Sequence, residues 1–177
     1  MSQAIATRAE AGNEARSSFD ELYRQSRDDV YAYVAGLLRD ASAAEEVTAI
    51  AFERAYRKRD RFDARRGSPR AWLFGIARNA ALDELRQRRR QAALTADPTD
   101  PAAPSATDGV ERSERRLLLT AALERLEARE RELVALRFFA GLSNAEIARV
   151  LGISESNAGT KLHRVVTKLR EACHGAA

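Results

Sequence analysis

The chain has 177 residues, with 30 Lys and Arg against 26 Asp and Glu and a formal net charge of +4. This length holds one or two small domains. A single cysteine, Cys173, excludes an internal disulfide and any multi-cysteine metal site, and no apolar run approaches the roughly 18 residues of a membrane span. Two histidines, His163 and His174, are too few to suggest a metal centre, and no cofactor is expected. Residues 1–17 lack the apolar core of a signal peptide, so they are expected to be a flexible lead-in to a soluble, cytoplasmic protein.

The elements that follow are all helical. Phe19, Leu22, Tyr23, Val30, Val34, Leu37 and Leu38 predict one long amphipathic helix or a broken pair. A second helix is predicted over about 42–59, with Val47, Ile50, Ala51 and Phe52 inward. Ser68 is a cap and Pro69 a first helical residue for a third. This third helix runs through "AWLFGIARNAALDELRQRRR", with Leu73, Ile76, Ala77, Ala80 and Leu85 on its buried side. Residues 54–90 hold thirteen cations and four acids, a net charge of +9. Phe62, Trp72 and Phe74 lie among them. Arginines interleaved with rings suit unstacked single-stranded DNA, because cations hold its backbone and rings hold its bases. Trp72 and Phe74 fit equally well as core residues of a small bundle.

Pro98, Pro101 and Pro104 fall in "LTADPTDPAAPSATDGVE", residues 94–111, which has four acids and no base. With no apolar period, this stretch is predicted to be a flexible acidic linker. It divides the chain into blocks at 18–93 and 112–173, an all-α arrangement of two small helical domains. The second block has four predicted helices, at about 112–126, 129–139, 143–151 and 154–171. Leu119, Ala122, Leu123, Leu126, Leu133, Leu136 and Phe139 are expected to pack beneath the last two.

Those last two helices lie in "GLSNAEIARVLGISESNAGTKLHR". Ser143 and Glu146 have capping-box spacing, Gly152 stands where a helix end needs a left-handed residue, and Ser154 can cap the next helix. A helix, a tight turn with Gly and a second helix make a helix-turn-helix pattern. In the second helix Ala158, Leu162, Val165 and Leu169 form an apolar stripe. Opposite lie Ser156, Asn157, Thr160, Lys161, Arg164 and Lys168, with no acid among them. Amide and hydroxyl groups at one end and cations beyond suit a helix that reads base edges and holds phosphates; an ordinary solvated face is the alternative. Gly159 costs a helix interior about 1 kcal/mol relative to Ala; it either allows a close backbone approach to DNA or has no functional meaning.

Taken together, "RNAALDELRQRRR", the acidic linker and "GLSNAEIARVLGIS…KLHR" resemble an extracytoplasmic-function (ECF) type bacterial RNA polymerase sigma factor over about residues 18–172. The resemblance implies a first block that binds the clamp helices of the polymerase β′ subunit and captures the melted −10 element. It implies a second block that binds the −35 duplex beside the β flap. It also implies a probable anti-sigma factor as partner. "AEEVTAIAFERAY" resembles the core-binding helix, which assigns polymerase contact to Glu45, Glu46, Phe52 and Arg54. Ala49 and Ile50 depart from the Gln-Glu common in the family. Arg61, Phe62, Trp72, Asn79, Asp83 and Arg86 fall to the −10 element. Ser156, Asn157, Thr160, Lys161, Arg164 and Lys168 fall to the −35 element, although Asn157, Gly159 and Thr160 depart from the commoner recognition sequence. Such a protein is not an enzyme. A stand-alone helix-turn-helix regulator is the runner-up; a nuclease lacks a metal-ligand cluster, an activated nucleophile and a phosphate-cradling loop.

Overall fold

A computed structural model describes residues 2–95 and 121–174, and these residues contain helices and no strand. The predicted linker at 94–111 and helix at 112–126 lie largely outside them. Only the end of the third helix, at 94–95, and a helical turn at 121–124 are described.

Helix α1 spans Ser2–Leu38 without a break. It therefore begins inside the stretch expected to be a structureless lead-in. Ala4, Ala6, Ala9, Ala11 and Ala15 have the highest helix propensity of any residue type, which is the local reason for the early start. Arg39 follows at φ 52, a left-handed position that a side chain seldom takes. It turns the chain into α2, Ala41–Lys58, whose first turn is capped where Asp40 accepts from the Ala43 amide at 3.0 Å. Two short 3-10 turns, Arg59–Arg61 and Ala64–Arg66, lead to α3, Pro69–Thr95. Ser68 caps α3 as predicted, accepting from the Ala71 amide at 3.1 Å.

Helices α1, α2 and α3 close around Val30, Val34, Val47, Ala51, Leu73, Phe74 and Ala77, all buried. Phe52 is also buried, edge-on to Tyr23. It supports α2 from within. Phe74 is fully buried against Tyr33, so the core reading holds for this ring. Trp72 remains half-buried, its ring centroid 5.5 Å from that of Phe62.

In the second block α4 spans Ala128–Phe138, α5 Asn144–Leu151 and α6 Glu155–His174. Both halves of the predicted capping box form. Ser143 accepts from the Glu146 amide and Glu146 accepts from the Ser143 amide at 2.9 Å. Gly152 sits at φ 68, ψ 37, and Ser154 Oγ accepts from the Asn157 amide at 3.2 Å. Ala122, Leu126, Leu133 and Leu136 are buried as expected, and so are Ala158, Leu162 and Val165. Phe139 is 51% exposed. Phe139 is still helical, its amide bonded to the Ala135 carbonyl at 2.9 Å, but the next residues turn inward in its place, Ala140 and Leu142 both being buried.

The two blocks are not separate bodies. One core cluster runs from Val30 and Phe74 of the first block to Leu136, Leu142, Ile147 and Ala148 of the second. At its centre Glu132 of α4 is buried, accepting from Tyr33 Oη at 3.0 Å and from Arg78 Nε at 2.7 Å. Arg70 of α3 donates to the carbonyls of Phe139 and Ala140 just beyond α4, and also to Asp29.

Candidate nucleic-acid interface

Two polar surfaces correspond to the two predicted DNA-reading sets, one on each block. On α6 the apolar stripe turns inward, which carries Ser156, Asn157, Thr160, Lys161, Arg164 and Lys168 to the exposed side. The six share one face of a helix that begins immediately after the turn at Gly152. Ser154 and Asn157 bring oxygen and amide groups to its N-terminal end, where free backbone amides favour anions.

Although the stripe has no acid of its own, α4 supplies one. Lys168 Nζ lies 2.8 Å from Glu130 Oε1 and 3.1 Å from Oε2. The hydrogen bond from Lys168, followed by that from the Glu127 amide, holds the Glu130 carboxyl below its usual range, and the same pairing raises the Lys168 ammonium. Lys168 is thus already engaged. The cations left open on the stripe are Lys161 and Arg164. Gly159 has a reason in the packing of the block itself. A Cβ there would stand 3.3 Å from Asn144 Nδ2 of α5, so the glycine admits close packing within the helix-turn-helix.

On the first block, a cavity of about 550 Å³ is lined by Arg61, Phe62, Arg66, Gly67, Trp72 and Asn79, among others. Arg61 and Asn79 are exposed at its edge, while Phe62 and Trp72 form its aromatic wall. Asp83 and Arg86 lie further along α3 and pair with each other at 3.1 Å. Asp83 also pairs with Arg54 of α2 at 3.3 Å, so a residue predicted to meet polymerase and one predicted to meet DNA hold each other. Glu45 and Glu46 stand exposed on α2.

The wall of this cavity also contains residues of the other block. Glu146, Arg149 and Val150 of α5 line it. Glu146 Oε1 accepts from Ser68 Oγ at 2.5 Å and from the Ser68 amide at 3.4 Å, while Oε2 completes the cap of α5. One carboxylate thus joins the N-caps of α3 and α5. Burial pushes this carboxyl up, but the hydrogen bonds from Ser68 and Ser143 outweigh burial and leave it below the ordinary glutamate value. Arg149 donates to the Arg66 carbonyl at 2.7 Å, and its guanidinium leaves only 3.0 Å for a Cβ at Gly67. None of these cross-block residues carried a signal in the sequence beyond local capping or surface charge.

No helix among the described residues is long and apolar enough to cross a membrane. A family model described as Sigma-70 region 2 matches residues 22–91, and one described as Sigma-70, region 4 matches residues 116–169. ECF RNA polymerase sigma factor BldN of Streptomyces coelicolor is 34% identical over 168 residues, which cover 93% of this chain and 63% of BldN. ECF RNA polymerase sigma factor SigL of Mycobacterium tuberculosis is 33% identical over 150 residues, covering 84% of this chain and 85% of SigL. Among solved structures, the sigma factor RpoE in complex with the anti-sigma factor NepR from Bartonella quintana matches with a TM-score of 0.73 at 21% identity. The match covers 88% of this chain and 96% of that one. CnrH in complex with the cytosolic domain of CnrY matches at a TM-score of 0.62 and 23% identity, over 96% of each chain. At these identities the structural likeness speaks for the fold.

Proposed function

The chain belongs to the ECF RNA polymerase sigma factor family, and from that premise we propose how its surfaces divide the work of a promoter-directing subunit. Core polymerase docks on α2, where Glu45, Glu46 and Arg54 face outward and Phe52 stiffens the helix from beneath. The α6 stripe enters the major groove of the −35 element, with Asn157 and Thr160 toward base edges and Lys161 and Arg164 toward phosphates. The Phe62–Trp72 wall receives bases of the melted −10 strand; Asn79 contacts the strand from α3 and Arg61 supplies charge. The chain carries out no catalytic step of its own. It acts in the cytoplasm with its polymerase, and an anti-sigma factor is the expected antagonist.

The observation that carries this reading is the chemical difference between the two surfaces. One is a polar helix face suited to a groove, and the other is a concave aromatic and cationic pocket suited to unstacked bases. Runoff transcription with purified core polymerase on promoter fragments tests it. Specific transcripts should require the chain, core enzyme and promoter together. A salt-resistant, sequence-specific duplex complex formed by the chain alone, with no transcript on adding polymerase, would replace this reading with that of a stand-alone regulator. Glu46→Lys should weaken competition for core enzyme without changing the fold, because Glu46 is exposed.

A further inference from the structure

A second cavity, also about 550 Å³, opens between α1 and α4, and none of the residues assigned to DNA lines it. Its walls are mostly apolar, with Leu37 of α1, Leu123, Val134 of α4 and Leu169 of α6. Phe138 and Phe139 stand exposed at one end of it. Its floor on α1 is made by Ala32 and Gly36. Glycine within a helix is destabilising, and at Gly36 neither a positive φ nor crowding calls for one. A Cβ there would meet nothing within 4 Å. The effect of this glycine is to keep the groove open.

Helices α1 and α4 run antiparallel along the groove. At one end Arg70 bridges Asp29 of α1 and the Phe139 carbonyl, and further along Tyr33 meets Glu132. At the other end Arg39, just past α1, faces Arg131 of α4. The Glu132 carboxylate is already held by Tyr33 and Arg78. Arg131 is less well served. Its Nη1 donates to the Glu124 and Leu126 carbonyls, and among the described residues Nε and Nη2 have no protein acceptor. Neither Arg131 nor Arg39 has a carboxylate within ion-pair distance among those residues. Burial, and then the charge of Arg39, holds the Arg131 guanidinium below its usual value. An apolar groove that ends in two uncompensated cations is complementary to an apolar chain with one anionic head. We propose that this groove binds a medium-chain fatty acid, its carboxylate on Arg131 with Arg39 beside it and its chain lying along α4 toward Phe138. A guanidinium fork gives a carboxylate two parallel bonds. From Arg131 to Phe138 the helix advances about 10 Å, which the chain can follow. The volume falls within the roughly 300–1,000 Å³ of small-molecule sites. Because α1 and α4 belong to different blocks, the bound molecule touches both and stabilises the folded chain.

The test is isothermal titration calorimetry of the full chain with octanoate below its micelle concentration, beside octanol and octylammonium as neutral and cationic counterparts. Octanoate should bind once per chain and raise the melting temperature as its concentration rises. Octanol and octylammonium should bind at least about tenfold more weakly, the equivalent of one charge-assisted hydrogen bond. Arg131→Gln should weaken octanoate by a similar factor and leave octanol unchanged, and Arg131→Lys should restore part of the loss. Gly36→Leu fills the floor from an exposed helical position and should abolish binding of both. Leucine is the better helix former, and far-UV circular dichroism checks that each variant remains folded. If Arg131→Gln does not fold, Gly36→Leu and the octanol comparison decide. The absence of saturable octanoate binding, octanol binding as tightly as octanoate, or undiminished binding by Gly36→Leu overturns the proposal. Two further results give the groove to another occupant and overturn it equally. Octanoate binding that appears only when Asp97, Asp100, Asp108 and Glu111 are all neutralised assigns the groove to the chain's own acidic linker. A dimer seen by light scattering and abolished by Gly36→Leu assigns it to a second copy.

Discussion

Replacing Glu132 by Ala tests the join between the blocks. Its carboxylate is 8% exposed as a residue, the Tyr33 ring is fully buried, and the Arg78 side chain retains 22% exposure. Opposite charges about 4 Å apart attract by ~4 kcal/mol at an effective dielectric near 20, but desolvation of both groups offsets most of this. The decisive quantity is therefore what the deletion leaves behind. A stranded partner in a fully buried pair costs about 3–5 kcal/mol, and the water still reaching Arg78 lowers this. The orphaned Tyr33 hydroxyl has no such relief and accounts for about 1–2 kcal/mol. A loss of about 2–3 kcal/mol follows for Glu132→Ala, and about 1 kcal/mol for Glu132→Gln, which keeps an acceptor for Tyr33. Urea unfolding followed by the fluorescence of the one tryptophan, Trp72, should then lose a little over ~1 M in midpoint at a slope near 2 kcal/mol/M. Because the blocks share a core, fluorescence and circular dichroism should report the same transition. A Glu132→Ala midpoint within error of wild type would show that the Tyr33–Glu132–Arg78 cluster does not form in solution.

Burial first, then the charge of Glu132, raises the Tyr33 phenol well above its usual value of 10.0. A raised phenol contributes stability that is complete below the unfolded value and is lost as pH climbs from there toward the folded one. Tyr33→Phe should therefore flatten the fall in stability above about pH 10, and an unchanged alkaline limb in thermal melts would refute the assignment. Arg39→Gly should raise stability by about 1 kcal/mol, since φ 52 suits glycine and the change removes the cation that opposes Arg131; calorimetry checks it, and a lower melting temperature would sink it. Asn157→Ala should relax preference at one −35 position at a cost of about 1–3 kcal/mol in holoenzyme gel shifts. Asn79→Ala should spare −35 binding and reduce permanganate reactivity of the melted strand. Equal effects of the two on melting of a pre-opened bubble would contradict the division of labour.

The helix-turn-helix was legible because its signals are local. Ser143, Glu146, Gly152 and Ser154 each act within four residues of where they stand, and every one takes its predicted place. Ser68 and Pro69 mark the start of α3 for the same reason. The join was not legible, because nothing in the residues around Glu132 or Arg78 distinguishes a charge facing water from one facing another helix. Lys168 looked free since its acid comes from 38 positions away. Phe52 was legible by another route: helical period placed it inward, and it is buried. Phe139 has helical spacing from Leu136, yet it is its neighbour Ala140 that faces the core, a choice spacing alone does not make.

Where the first block lines the cavity with α5, the small residues Gly67, Ala71 and Gly75 stand beside Trp72 and Ile76. Hydrophobic stabilisation grows with apolar area, at about 25 cal/mol per Å², so the small residues add little and the two larger ones most of it. Hydrogen bonds to Ser68 and the Arg66 carbonyl add to it, and water replaces these at modest cost when the surfaces separate. Position 71 is already buried, so a leucine there would overfill the seam and cost about 1–3 kcal/mol of stability.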